Sequence, residues 1–265
     1  MAEQGNMSFL DHIGAMRRHL MRASVGVLIG MIIAFAGREL LIDQLLLAPK
    51  EDSFITYQWF CQVAEAWSLP ALCIEGLEVP LLNSKMAGQF TLHIWISLLA
   101  GVILAFPWIL WQIWLFIAPG LKSNERRHAV GFITFSSLLM FIGAIFGYFL
   151  IVPLSLRFLG NYVLSTNIQN LIETSSYLNT VMSIILSTGI MFELPMFMYF
   201  LTRMGVSSPE GMKKYRRHAY IGILGLSAVI TPPDVFSQIL VSLPVFLLYE
   251  FSILVSRRVV RRRNK

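Results

Sequence analysis

Charge, acid and cysteine are all scarce in this chain of 265 residues. Charged residues make up 14%, only 15 residues are acidic, hydrophobic residues reach 56%, and mean hydropathy is +0.66. Soluble domains carry about a quarter charged residues, so a soluble fold is excluded. Cys61 and Cys73 are the only cysteines, which excludes a disulfide-dense scaffold. There is no GxxxxGK[ST] phosphate loop, no HExxH and no GxSxG elbow. His12, His19, His93, His128 and His218 form no metal-like pair, and no inverted internal repeat is visible. An enzyme is therefore disfavoured, and no metal or cofactor is expected.

What is abundant is apolar sequence. Charge-free runs cover 23–37, 86–121, 128–156, 174–192 (resuming at 194–202), 218–233 and 235–249, which makes six candidate spans. The runs are continuously apolar and do not alternate in and out, so helices are expected and a barrel is not. The reading is an all-α membrane protein of six transmembrane helices forming a single integral membrane domain over 1–265.

The net charge of +6 invites a nucleic-acid partner, but the distribution of base argues against one. Seventeen of the 21 lysines and arginines fall on one side of the spans, in 17–22, 122–127, 203–217 and 257–265. The other side holds only Arg38, Lys50, Lys85 and Arg157. The positive-inside rule places both termini in the cytoplasm, in agreement with an even number of spans. Arg17, Arg18 and Arg22, the apolar run after them and Ala34-Phe35-Ala36 together mimic a signal peptide and its cleavage site. Because apolar residues resume at 40–47, an uncleaved first helix is expected.

In chain order, Ser8 and Asp11 resemble a capping box, and Phe9, Ile13, Met16 and Leu20 recur at helical spacing. The spacing predicts a short amphipathic helix within 1–22 on the cytoplasmic face, serving either as an anchor or as a binding segment. The loop 38–88, periplasmic on this orientation, holds seven acids against three bases. Its Trp59, Phe60 and Trp67 suit the interface or a small cap, and Cys61 and Cys73 can close it as a disulfide. A proline stands in spans two, three, four and six (Pro107, Pro153, Pro195, Pro244), which predicts bent helices forming a concave wall. The last two spans are short: their charge-free parts reach about 22–24 Å at ~1.5 Å per residue, against a core of ~30 Å. Thr231-Pro232-Pro233-Asp234 joins them as a tight hairpin, and lipid is expected to thin there. Asp234 either caps span six or acts directly.

Two carboxylates stand out. Glu193 lies inside span four, where an ionisable group costs at least ~2.5–3.5 kcal/mol, so it should face protein or water. It is either a structural carboxylate bonded to a neighbouring helix or a polar contact for something entering the membrane beside it. Glu125 is the only acid in the loop after span two, among Lys122, Arg126 and Arg127. It is either a carboxylate favoured by the positive start of span three or a surface acceptor for a basic ligand.

The stretch Phe116-Ile117-Ala118-Pro119-Gly120-Leu121-Lys122-Ser123-Asn124-Glu125-Arg126-Arg127 resembles the TatC family of twin-arginine translocase subunits. So do Phe192-Glu193-Leu194-Pro195, Ser208-Pro209-Glu210 and the run from Ile230 through Pro232, Pro233 and Asp234 to Gln238. The resemblance covers nearly the whole chain. It implies a multi-pass protein of the bacterial inner membrane, the receptor for paired-arginine signal peptides of folded cargo. Such a receptor works with the single-span proteins TatA and TatB and membrane lipid, as a homo-oligomer within a larger complex, driven by the proton-motive force. By position, Glu125 reads the arginine pair, Phe116 and Pro119 shape the loop before it, and Arg17 matches the family's N-terminal arginine. Glu193 meets a polar side chain of a partner helix or of the signal-peptide region. The chain departs from the family at Ala15, where a glutamate is common, so the second acidic contact is absent or supplied elsewhere. His19 replaces a further base, and the outer loop is longer than usual. The rival reading is a proton-coupled transporter of a small solute with Glu193 as relay.

The orientation has a direct test. On intact cells a membrane-impermeant maleimide is expected to label Ser53→Cys and to spare Ser123→Cys; labelling of Ser123→Cys from outside overturns it.

Overall fold

The computed structural model describes residues 9–68, 73, 76, 80–120, 129–163, 165, 171–230 and 235–263. Helix dominates. In chain order the elements are α1 (Phe9–Ala36), α2 (Ile55–Ala66), β1 (Leu81–Leu82), α3 (Gly88–Ile117), α4 (Ala129–Phe146), α5 (Val152–Asn161) and β2 (Ile172–Glu173). There follow α6 (Thr174–Phe192), α7 (Leu194–Arg203), α8 (Pro209–Lys214), α9 (Arg216–Ile230) and α10 (Val235–Arg263). Among the described residues four stretches are long and apolar enough to cross a membrane: Ile13–Ala36, Gly88–Ile117, Val130–Asn161 and Thr174–Arg203.

The N-terminal segment differs from expectation. Instead of a short helix leading into span one, a single helix, α1, runs unbroken for 28 residues through both. No proline falls in it, and its isolated glycines each cost only ~1 kcal/mol against alanine, too little to end a helix. The basic tail also continues a helix, since α10 reaches Arg263.

The four span prolines divide into two kinds. Pro107 and Pro244 sit inside α3 and α10, whose helical bonding runs past them. Pro153 lies at the start of α5, just after a π-helical stretch, Gly147–Ile151, and Pro195 lies at the start of α7, just after the break at Glu193. Proline cannot donate and clashes with the preceding turn, so a wider turn or a restart upstream accommodates it.

The chain divides into two compact units. The first joins Met1–Gly37 with His93–Leu138. In it α1 and α3 approach backbone to backbone at Gly30 and Gly101. A Cβ on Gly101 would stand 2.6 Å from the Met31 amide nitrogen, and one on Gly30 would stand 2.7 Å from the Gly101 carbonyl oxygen. Close approach through small residues is how helices associate where lipid removes the hydrophobic drive. Phe35 and His93 stack at 3.9 Å between centroids beyond this crossing. The first span stays largely uncovered: 11% of its most apolar window is buried, against 56% for Thr174–Arg203.

The second unit joins Arg38–Leu92 with Leu139–Lys265. Its outer loop is a folded cap. The π-helical stretch Glu39–Leu46 ends at a fully buried Leu46, and buried Phe54, Tyr57 and Ala64 anchor α2. Four hydroxyls tie the cap to carbonyls: Tyr57 donates to Pro49 and Tyr148 to Leu45, each at 2.7 Å, Tyr177 donates to Leu46 at 3.1 Å, and Thr56 donates to Phe149 at 2.7 Å. Burial pushes the Tyr57 phenol up to about 12, with Arg157 pulling the other way, so it stays a neutral donor. Leu81 and Leu82 pair in parallel with Ile172 and Glu173, and Thr174 donates to the Leu82 carbonyl at 3.0 Å. Cys61 and Cys73 are joined as a disulfide within the cap. Trp59 and Trp67 remain exposed on it.

Gly101→Val is expected to push α1 and α3 apart and to cost about 1–3 kcal/mol, the range for overpacking a tight interior. Thermal unfolding of the purified protein in detergent checks this, with Gly131→Val as the control, because a Cβ there meets nothing within 4 Å.

Candidate functional site

At one end of the first unit the first turns of α1 oppose the last turns of α3, and His19, Gln112 and Phe116 meet there. His19 Nδ1 and Gln112 Oε1 lie 3.0 Å apart, a bond that requires the Nδ1–H tautomer of the ring. Gln112 is buried, so this pair satisfies an amide inside an otherwise apolar helix. His19 also meets Phe116 edge to face, with centroids 6.4 Å apart. Four residues before Gln112 on α3, Trp108 Nε1 donates to the Arg22 carbonyl at 2.9 Å. The end of α3 is thus held against α1 by three aromatic or amide contacts.

From this anchored end the chain passes into a single 3₁₀ turn, Ala118–Gly120, with Pro119 exposed on it. Arg17 is exposed on α1, and Ala15 is half-buried. Glu125 lies outside the described residues, as do Pro232, Pro233 and Asp234. The structure therefore brings His19, Phe116 and Gln112 together and presents Arg17 and Pro119 at the surface.

Glu193 occupies the joint of span four. It closes α6, opens α7, and is half-buried with Oε1 out of solvent contact. Its amide bonds to the Ile190 carbonyl at 3.0 Å, and its own carbonyl accepts from Phe197 at 2.9 Å, so the joint stays hydrogen-bonded on both sides. Phe192 packs on Phe146 at 5.4 Å, and Thr202 in α7 shares a hydrogen bond of 2.9 Å with Ser256 in α10. Gln238 Nε2 donates to the Leu224 carbonyl at 3.1 Å, linking the two arms of the hairpin.

Sequence reasoning missed a polar knot at the base of that hairpin. Glu250 accepts from Arg216 at 2.7 Å and from the Tyr220 hydroxyl, and Tyr249 donates to the Met212 carbonyl at 2.8 Å. Arg216 and Glu250 are 34 residues apart and fall at matching heights on the two arms. That symmetry about the proline turn was the signal available. Gln112 was also missed, although a lone amide inside a long apolar run marks a buried partner.

Several long apolar helices, folded on themselves with buried polar pairs between them, make this a multi-pass helical membrane protein. The family model for "Sec-independent protein translocase protein (TatC)" matches residues 11–244. A TatC of Blattabacterium sp. subsp. Periplaneta americana is 34% identical over 263 residues, covering 98% of this chain and 99% of the relative. The TatC of Escherichia coli strain K12 is 37% identical over 186 residues, covering 70% and 72%. A solved structure described as the crystal structure of the twin arginine translocase receptor TatC aligns with TM-score 0.72 at 30% identity. It covers 94% of this chain and 99% of that one. The chain belongs to the TatC family of Sec-independent protein translocase proteins. This is a family of translocase subunits rather than of catalysts, and membership displaces the solute-transporter reading.

His19 and Gln112 should prove energetically coupled. His19→Ala and Gln112→Leu, alone and combined, are expected to give a coupling of about 0.5–1.5 kcal/mol in a double-mutant cycle of thermal stability. Strict additivity would mean that the pair contributes no net bond.

Proposed function

We propose that this chain is the receptor and core subunit of a twin-arginine translocase in the bacterial inner membrane. It binds paired-arginine signal peptides of folded proteins, assembles with TatA and TatB and further copies of itself, and is driven by the proton-motive force. On this reading α9 and the apolar part of α10 are the fifth and sixth spans, and both termini are cytoplasmic, in line with the one-sided distribution of base. The cap then faces the periplasm, where an oxidising environment suits the Cys61–Cys73 disulfide.

The observation that carries the proposal is the likeness to a TatC receptor over nearly the full chain, combined with the built end of α3. Phe116 and Pro119 sit at the exit of a helix held by His19 and Gln112, and they deliver the chain directly into the segment that contains Glu125. Glu125 reads the arginine pair, with Arg17 on the opposing helix setting the boundary of the site. Glu193, half-buried at a joint with its backbone bonds intact, receives a polar side chain from a partner helix. Pro232, Pro233, Asp234 and Gln238 shape the short hairpin.

A guanidinium fork makes two parallel bonds to one carboxylate, whereas an ammonium acts as a point charge. Losing ~1.4 kcal/mol is a tenfold weakening, within the range of one charge-assisted bond at a screened surface. Glu125→Ala is therefore expected to weaken binding of a paired-arginine peptide about tenfold or more, and Glu125→Lys to abolish it. A peptide with both arginines replaced by lysine should bind weakly and lose little more on Glu125→Ala. If the two changes add instead, the arginines are read elsewhere.

A further inference from the structure

We propose that Arg18, Met21, Arg22, Val25 and Trp108 form a site for one anionic phospholipid. The phosphate is held by the two guanidiniums, and an acyl chain lies over Met21 and Val25 against the indole. These five residues line an open groove of about 270 Å³ between α1 and α3, inside the first unit. The inference requires α1 to be a membrane span and does not depend on signal-peptide recognition.

The groove is built rather than left over. Trp108 would fill it if its ring could swing outward, but Nε1 is bonded to the Arg22 carbonyl at 2.9 Å. The ring lies against Gly26, where any Cβ would collide with its Cδ1. The absence of a side chain at Gly26 thus lets the indole lie flat on α1 as a floor. Nearly all of the exposed lining is apolar carbon, so the arginines contribute their aliphatic stems to the walls and carry their charge to the rim.

The spacing matches an amphiphile. Arg18 and Arg22 stand one turn apart on one face, about 6 Å along the axis, close enough for both to reach one phosphate. Val25 lies about 10 Å farther into the span than Arg18, so the groove runs from charge into hydrocarbon. Both arginines are exposed, and no acid pairs with either among the described residues. Residues 12–38 contain no Asp or Glu at all.

Charge decides between occupants. A paired-arginine peptide would bring like charge to two guanidiniums, and an apolar partner helix would leave both with no counter-ion at the edge of the hydrocarbon. An anionic phospholipid supplies the counter-charge and the chain together, as at basic pockets between spans. A phosphate contact with two forks is stronger than the diffuse attraction of the surface. Arg17, about 100° away around the helix, points off the groove and serves as the internal comparison.

The test uses the full-length protein purified in neutral detergent and titrated with phosphatidylglycerol or phosphatidylcholine carrying brominated acyl chains. Quenching at the site is the difference between the unmodified protein and Trp108→Phe, which keeps a ring but removes the indole. Each basic contact near the surface is worth about fivefold, so phosphatidylglycerol is expected to quench Trp108 with some twenty- to thirtyfold preference. Arg18→Gln or Arg22→Gln should each remove about fivefold, and the double variant should make the two lipids equal, with helical content unchanged by circular dichroism. Native mass spectrometry should show one fewer retained phosphatidylglycerol on the double variant. Equal quenching of the unmodified protein by both lipids overturns the proposal, as does an Arg17→Gln variant that loses as much preference as Arg18→Gln with Arg22→Gln. Protection of Trp108 by a neutral transmembrane peptide, indifferent to both arginines, also overturns it and assigns the groove to a partner helix.

Discussion

Hydrocarbon offers no water to an unpaired backbone group, so each interruption of a helix inside the membrane must be closed by the chain itself. The two interruptions at span prolines obey that constraint. Before Pro153 the helix widens into a π-helical stretch, and before Pro195 it ends and restarts at Glu193 with backbone bonds on either side. A joint of this kind places a carboxylate at depth without orphaning an amide.

With the backbone satisfied, association of the helices depends on how closely they can approach. Gly30 and Gly101 let two backbones touch in the first unit, and Gly143, Gly147 and Gly189 make room in the second for Thr188, Phe192 and Met140. Buried hydroxyls at Thr188, Thr202, Ser242, Ser252 and Ser256 find helical carbonyls or each other. Most of these hydroxyls bond within their own helix, and the bond between helices is Thr202 with Ser256, of a kind that contributes about 0.6–2 kcal/mol in lipid. Close approach through glycine and that bond replace the hydrophobic drive of a soluble core. They give specific pairing of helices whose outward faces remain apolar, and the first span keeps most of its surface for lipid or a partner.

The outer cap works by another rule. Outside the hydrocarbon, tyrosine hydroxyls reach across from helices to carbonyls of the loop, and buried leucine and aromatic groups fill the space beneath. The disulfide closes a local loop of the cap, and the short parallel pairing of β1 with β2 ties segments far apart in sequence. The described part of this acid-rich loop thereby becomes an element of the second unit.

The sequence by itself determined the helical membrane class, four of the six candidate spans and the family. Those follow from composition, from continuous apolar runs and from local motifs, which need no knowledge of neighbours. It also marked Glu193 and Pro195 as the weak point of span four, because proline and charge act on their own helix. What only the tertiary structure decided is which side chains meet: His19 with Gln112 and Phe116, Glu250 with Arg216 and Tyr220, and Trp108 lying over Gly26. Periodicity says which face a residue occupies but not what stands opposite, and in a membrane both the lipid-facing and the buried faces read as apolar. Pairings between helices distant in the chain therefore leave almost no trace in local pattern, and they become visible only when the helices are packed.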